Sequence, residues 1–177
     1  MNNKVNTYKK LLGSKYNQLP ASLRRFREAS ENSGQGIFEV EYGKGRLKHF
    51  IAWLMDLPNE GQNLPLQLQT KTIDGKTYWH RYFPDKLMST VSLEKDMLLL
   101  EQNGGIAYGF KLDLEGNHLR YHFKYQKVFG IKLPSFLAIK IDVNDELFED
   151  GWNVNVRFFN DIIGFIAAYR GTFKPSL

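Results

Sequence analysis

Apart from one helical stretch, the chain beyond Ile37 is a series of short segments in which apolar and polar residues alternate with a period of two. Tight turn signals punctuate them at Asp74-Gly75, Asn103-Gly104-Gly105 and Glu115-Gly116-Asn117. A period of two sends successive side chains to opposite faces of a strand, and Asp-Gly or Asn-Gly pairs supply the positive φ angles of a hairpin turn. Parallel pairing needs a crossover of a dozen or more residues, and nearly every connection here is too short for one. The pattern predicts an antiparallel sheet with one apolar and one wet face.

The segments are Phe38, Val40 and Tyr42 against Glu39 and Glu41; Leu66, Leu68 and Thr70; Lys76 to Phe83; Leu87 to Leu93; and Met97 to Gln102. Then come Ile106, Tyr108, Phe110, Leu112 and Leu114, followed by Leu119, Tyr121, Phe123 and Tyr125. Ala138 to Val143, Gly151 to Phe159 and Phe165 to Phe173 complete the series. About eight to ten strands rarely stay flat, because each carries a right-handed twist.

Residues 46–57 read differently: Leu47, Phe50, Ile51, Trp53, Leu54, Met55 and Leu57 fill an arc of about 200° at helical spacing. An arc that wide predicts a helix lying in a concave sheet. The expected fold is α+β: a strongly curved antiparallel sheet, a half-barrel or partly closed barrel, packed around this amphipathic helix, with short N-terminal helices at Tyr8 to Tyr16 and Pro20 to Glu28. Ser30 to Gly36 reads as a loop, and so does the acidic run Asp142, Asp145, Glu146, Glu149 and Asp150, which lacks the spacing of a calcium loop. The expected organisation is a single domain, 1–177, with a helical segment 1–35 and a sheet-plus-helix body 36–177.

With 42% hydrophobic residues the chain has enough apolar surface for one core. It has no cysteine, which excludes disulfides, thiolate nucleophiles and cysteine metal sites and fits a reducing compartment. The start of the chain lacks the apolar core of a signal peptide, and no apolar run is long enough to span a bilayer; the expected location is cytoplasmic. The net charge is +5, and residues 1–50 hold ten Lys or Arg against four Glu, so the basic character is N-terminal. Arg24, Arg25 and Arg27 form the expected basic surface, suited to an anionic membrane surface or an acidic partner.

No P-loop, nucleophile elbow, dinucleotide fingerprint or zinc-protease motif occurs, and no catalytic residue, metal or cofactor is expected. His118 and His122 share a strand face but stand about 13 Å apart, too far to share a metal. In Arg120-Tyr121-His122-Phe123-Lys124-Tyr125 the aromatics and cations lie on opposite faces, whereas a nucleic-acid stacking platform needs both on one. The informative strand is Thr77 to Phe83. If Trp79 and Phe83 face the core, Arg81 lies between them, where a guanidinium is costly unless paired or bound to an anion; if Tyr78, His80 and Tyr82 face inward, it does not.

Several blocks carry a resemblance: Leu19-Pro20-Ala21-Ser22-Leu23-Arg24-Arg25-Phe26, Gly36 to Glu41 followed by the helix ending Leu57-Pro58, Trp79-x-Arg81-x-Phe83, Leu133-Pro134, and Gly164 with Tyr169-Arg170-Gly171. Together they resemble the bacterial domain of unknown function 4166. The chain departs from that pattern at Asp56, where a glycine is expected, and in lacking a proline before Ile162. The resemblance transfers no active site. It implies domains that occur alone or behind a nucleotide-binding oxidoreductase-like domain, hence an accessory or substrate-holding role.

Two functions follow as expectations. One is a binding module for an apolar or amphiphilic ligand, a lipid or acyl chain, contacted by Trp53, Trp79, Arg81, Phe83, Tyr108, Tyr121 and Tyr169. The other is an interaction domain docking an oxidoreductase partner or an anionic membrane surface through the basic N-terminal half. An enzyme with a spatially assembled active site is the third.

Overall fold

The computed structural model describes residues 6–176; residues 1–5, on which the expectation of no signal peptide falls, and residue 177 lie outside the described residues. Two N-terminal helices, α1 (Thr7–Leu12) and α2 (Ala21–Glu28), flank a 3-10 turn at Gly13–Gln18. Then come β1 (Glu31–Tyr42), α3 (Arg46–Leu54), β2 (Gly61–Ile73), β3 (Lys76–Tyr82), β4 (Leu87–Lys95), β5 (Leu98–Asn103) and β6 (Ile106–Glu115). The remainder is β7 (His118–Val128), β8 (Ile131–Lys132), β9 (Lys140–Phe148), β10 (Gly151–Asn160) and β11 (Gly164–Ser176).

The sheet runs β6-β5-β4-β3-β2-β1-β11-β10-β9-β7, and β7 also pairs with β6, closing a ring of ten strands; β8 hangs on β7. All pairs are antiparallel. The expected partly closed barrel is therefore a closed one, which removes the exposed edges an open sheet would leave. Closure rests on a short ladder, His118–Tyr121 of β7 against Val143–Glu146 of β9. Beyond it the two strands part, and Gln126 links β7 to the connecting segment by accepting from the Ile139 N–H at 2.7 Å.

Alternating strand direction puts the ends of β1, β3, β5, β7 and β10 at one rim, here the mouth, and their starts at the other, the floor. The N-terminal helices plug the floor. Phe26 of α2 enters the barrel between Trp152 and Phe173, at centroid separations of 5.3 and 5.8 Å. Ion pairs Lys10–Glu94 and Lys15–Asp113, each 2.5 Å, tie the plug to the floor hairpins. The Asn6 amide accepts from Tyr8 N at 2.9 Å, capping α1, and donates to Arg27 O at 2.5 Å, pinning α1 to α2.

The sheet does not wrap α3. Leu47, Phe50, Trp53 and Leu54 are each more than half exposed, and Ala52 is the buried residue of the helix. The helix ends at Leu54, and the two residues that do enter the barrel, Met55 and Leu57, belong to the turn that follows it. Its amphipathic stripe points out of the mouth because the interior is already occupied by strand side chains.

Two expected loops are strands. Residues 31–36 pair with β2 and residues 33–36 also with β11, and their glycines permit it: a Cβ on Gly34 would sit 2.2 Å from the Phe173 ring. Of the acidic run, Asp142, Asp145 and Glu146 lie in β9, while Glu149 and Asp150 form the turn that follows it. Ile141, Val143, Asp145 and Leu147 share one parity and face inward, while Asp142 and Glu146 face solvent. A bulge between β6 and β7 at Gly109/Phe110 shifts the register, so Gln126 rather than Tyr125 is buried beside Tyr108.

Candidate functional site

Inward parity places Trp79, Arg81 and Phe83 inside the barrel, leaving Tyr78, His80 and Tyr82 outside. Arg81 Nη1 donates to Thr90 Oγ1 at 2.9 Å on β4, and its guanidinium lies 5.3 Å from the Trp79 ring. A second guanidinium meets the same ring from below. Arg27, one helical turn after Leu23 on α2, points into the barrel and lies 3.9 Å over Tyr8 and 4.7 Å over Trp79. Arg27 is therefore not part of the basic surface; α2 spacing puts it on the buried face with Leu23. Arg25 is exposed, and Arg24 and Arg27 are both half-buried, Arg27 with its Nε and Nη1 buried.

Two carboxyls complete the cluster: Glu101 of β5 and Asp145 of β9, the latter 5% exposed. Among the described residues, neither arginine forms an ion pair with either acid. Arg27 Nε and Nη1 and Asp145 Oδ1 are buried with no hydrogen-bond partner. Such groups cost on the order of 1–3 kcal/mol each, more when charged, so a polar guest that met them would gain that energy.

These groups surround a cavity of about 90 Å³, walled also by Tyr121, Trp152, Tyr169 and Phe173. A second space of about 70 Å³ lies toward the mouth, lined by Met55, Leu57, Met88, Tyr108, Ile141 and Phe158. Arg81, Glu101 and Tyr169 line both, so the interior grades from apolar under the mouth to charged above the floor. At roughly 10–15 Å³ of such space per water, it has room for on the order of ten water-sized groups. A larger hollow of about 980 Å³ lies on the outer wall where β7 and β9 part, but it is an open surface groove.

Burial pushes Asp145 up to about 7, with Arg27 opposing and Glu101 reinforcing. Burial also raises Glu101, against the pull of Arg81 and Arg27. Burial works against the charge on Arg27, yet Tyr8, Tyr121, Asp145 and Glu101 around it hold its pKa above the ordinary arginine value. Burial raises Tyr8 and Tyr121, whose hydroxyls meet at 3.3 Å, and pushes Tyr169 up to about 12. Two guanidiniums thus face two carboxyls whose ionisation burial opposes, which biases the interior toward positive charge.

Residues 19–173 match the family described as Domain of unknown function (DUF4166). The chain belongs to this family. No curated protein matches the DUF4166 chain. Among solved structures, an isomerase-inactive variant of GphF DH1 aligns at 9% identity over 96% of this chain and 82% of that one, with a TM-score of 0.21, too low to carry an argument.

In the DUF4166 chain the expected contact residues divide. Trp79, Arg81, Phe83, Tyr108, Tyr121 and Tyr169 line the interior, whereas Trp53 stands outside it, 66% exposed on α3. Sequence reasoning missed Arg27, Glu101, Asp145 and Tyr8. The parity of Leu99 with Glu101 and of Val143 with Asp145 is the signal that finds the two acids. One cluster of metal-ligand type, Asp113, Glu115 and His122, brings donor atoms within 4.8 Å of one another on β6 and β7. Its acids already pair with Lys15 and Arg120. Among the described residues no helix is long and apolar enough to cross a membrane.

Proposed function

We propose that the barrel is a binding module for a small acidic amphiphile. The anionic head meets Arg27 and Arg81, and the apolar tail lies toward Met55 and Leu57. The observation that carries this reading is the set of partnerless buried donors on Arg27 beside a cavity whose carboxyls are pushed toward neutrality. An arriving carboxylate supplies the acceptors that Arg27 lacks, and planar guanidinium matches carboxylate geometry. The apolar upper cavity rewards about 0.8 kcal/mol per buried methylene. The interior space limits the guest to roughly ten non-hydrogen atoms, a medium-chain rather than a long-chain acid.

Native mass spectrometry of the purified protein, with organic extraction of what it carries, tests this reading. An acidic amphiphile of that size in wild type and its absence from a folded Arg81→Gln variant are expected. A neutral guest, or the same load in both proteins, would contradict it.

A further inference from the structure

We propose that the mouth end of the barrel docks on an anionic lipid bilayer, with α3 lying in the interface. This goes beyond the cavity's cargo and does not depend on it.

The exposed large apolar side chains are unevenly distributed. Ile73 and Met97 stand on floor turns and Ile37 on the wall. At the mouth, α3 presents Leu47, Phe50, Trp53 and Leu54 to solvent, with Phe50 and Trp53 stacked at 5.8 Å. Two further mouth connections add their own apolar tips: Phe129, 85% exposed, between β7 and β8, and Ile162, 69% exposed, between β10 and β11. Three separate connections thus project apolar groups beyond the same rim. A water-soluble monomer rarely leaves so much apolar surface together without a use for it.

Charge at this rim selects the occupant. Lys44 and Arg46 at the start of α3, Lys48 within it, and Lys127 and Lys132 flanking Phe129 have no carboxylate within ion-pair distance among the described residues. Four acids nearby are engaged, Asp56 by Lys86 at 2.8 Å, Asp161 by Lys140 at 2.7 Å, Glu60 by the Tyr42 N–H and Asp85 by the Asn59 N–H, and with exposed Glu41 at the end of β1 they are outnumbered by the cations of this rim. Apolar tips surrounded by cations without carboxylate partners, two of them, Lys127 and Lys132, over the Tyr125 ring, and an amphipathic helix carrying Trp and Phe match an anionic membrane surface in both its hydrophobic and its electrostatic layer. The turn that ends α3 sets Met55 and Leu57 against the upper cavity, so the docked helix adjoins the barrel's opening.

The test is vesicle binding by the full chain with no added ligand, read by co-sedimentation and by tryptophan emission. Trp79 and Trp152 are buried and Trp53 is exposed, so a vesicle-induced blue shift reports Trp53. Vesicles of phosphatidylglycerol and phosphatidylcholine are expected to bind the protein and shift its emission. Pure phosphatidylcholine, or high salt, should weaken binding at least tenfold. Phe50→Glu/Trp53→Glu should abolish insertion, and Lys44→Glu/Arg46→Glu/Lys48→Glu should weaken binding at least tenfold, with unchanged circular dichroism in both. No binding to anionic vesicles, binding that survives both folded variants, or a dimer formed through this face without vesicle binding would overturn the proposal.

Discussion

A carboxyl sealed inside a barrel with its pKa near neutrality ties stability to pH at a single residue, Asp145. The folded state holds this proton up to about pH 7, whereas the unfolded chain releases it near the ordinary value of 3.8. The folded state therefore binds more protons between these values, and stability falls as pH rises through that window. Arg27, Arg81, Glu101, Tyr8, Tyr121 and Tyr169 face the group from the surrounding elements. Asp145→Asn removes the cost of charging. At pH 8 the variant should be more stable by up to about 4 kcal/mol, and near pH 4 the difference should nearly vanish; chemical denaturation at the two pH values checks it. Asp56 is a second local conflict. It sits at φ 62°, with its N–H bonded to Trp53 O and the Leu57 N–H bonded to Ala52 O, the pattern of a Schellman cap. Glycine suits that position better, which accounts for the expectation of glycine before Leu57-Pro58. Asp56→Gly should raise stability by about 0.5–1 kcal/mol, less the exposed Lys86 pair, read as a rise in melting temperature.

At the scale of elements, two helical segments with apolar faces have opposite fates. α2 drives Leu23 and Phe26 into the floor, while α3 turns Phe50 and Trp53 to solvent. Phe26→Ala should cost about 3–5 kcal/mol in a denaturant titration, because it empties the contact with Trp79, Trp152 and Phe173. Trp53→Ala should change stability by less than about 0.5 kcal/mol. Helical periodicity made both stripes legible, but a stripe records that a face exists and not what covers it. Strands were legible wherever parity held, as along Tyr108 to Leu114. They were illegible where glycine or charge interrupted the apolar parity, at Gly34 and Gly36 in β1 and at Asp145 in β9. The inward turn of Gln126 was hidden because a bulge shifts parity without any mark in composition.

For the molecule as a whole, closure follows from two pairings between strands that are not neighbours in sequence, β1 with β11 and β7 with β9, and no local pattern encodes that β9 returns to β7. Closure is also what makes the interior charges matter, because a ring with a plugged floor excludes the water that would screen them. Arg81 was legible as an inward cation on one of the two faces the aromatic residues of β3 allowed, and parity in the barrel selects that face. Its companions were not, since Arg27 arrives from a helix and Asp145 from a run that looked solvated. As Asp145 ionises, the interior loses net positive charge, so affinity for an acidic guest should fall several-fold between pH 6 and pH 8 and become flatter with pH in Asp145→Asn. The central claim, that this interior takes an acidic amphiphile by its head, is tested most directly by calorimetric titration of octanoate at pH 6 into wild type and into Arg27→Gln/Arg81→Gln. The account predicts saturable one-to-one binding to wild type and at least tenfold weaker binding to the folded double variant. No binding to wild type, or equal affinity in both, would contradict it.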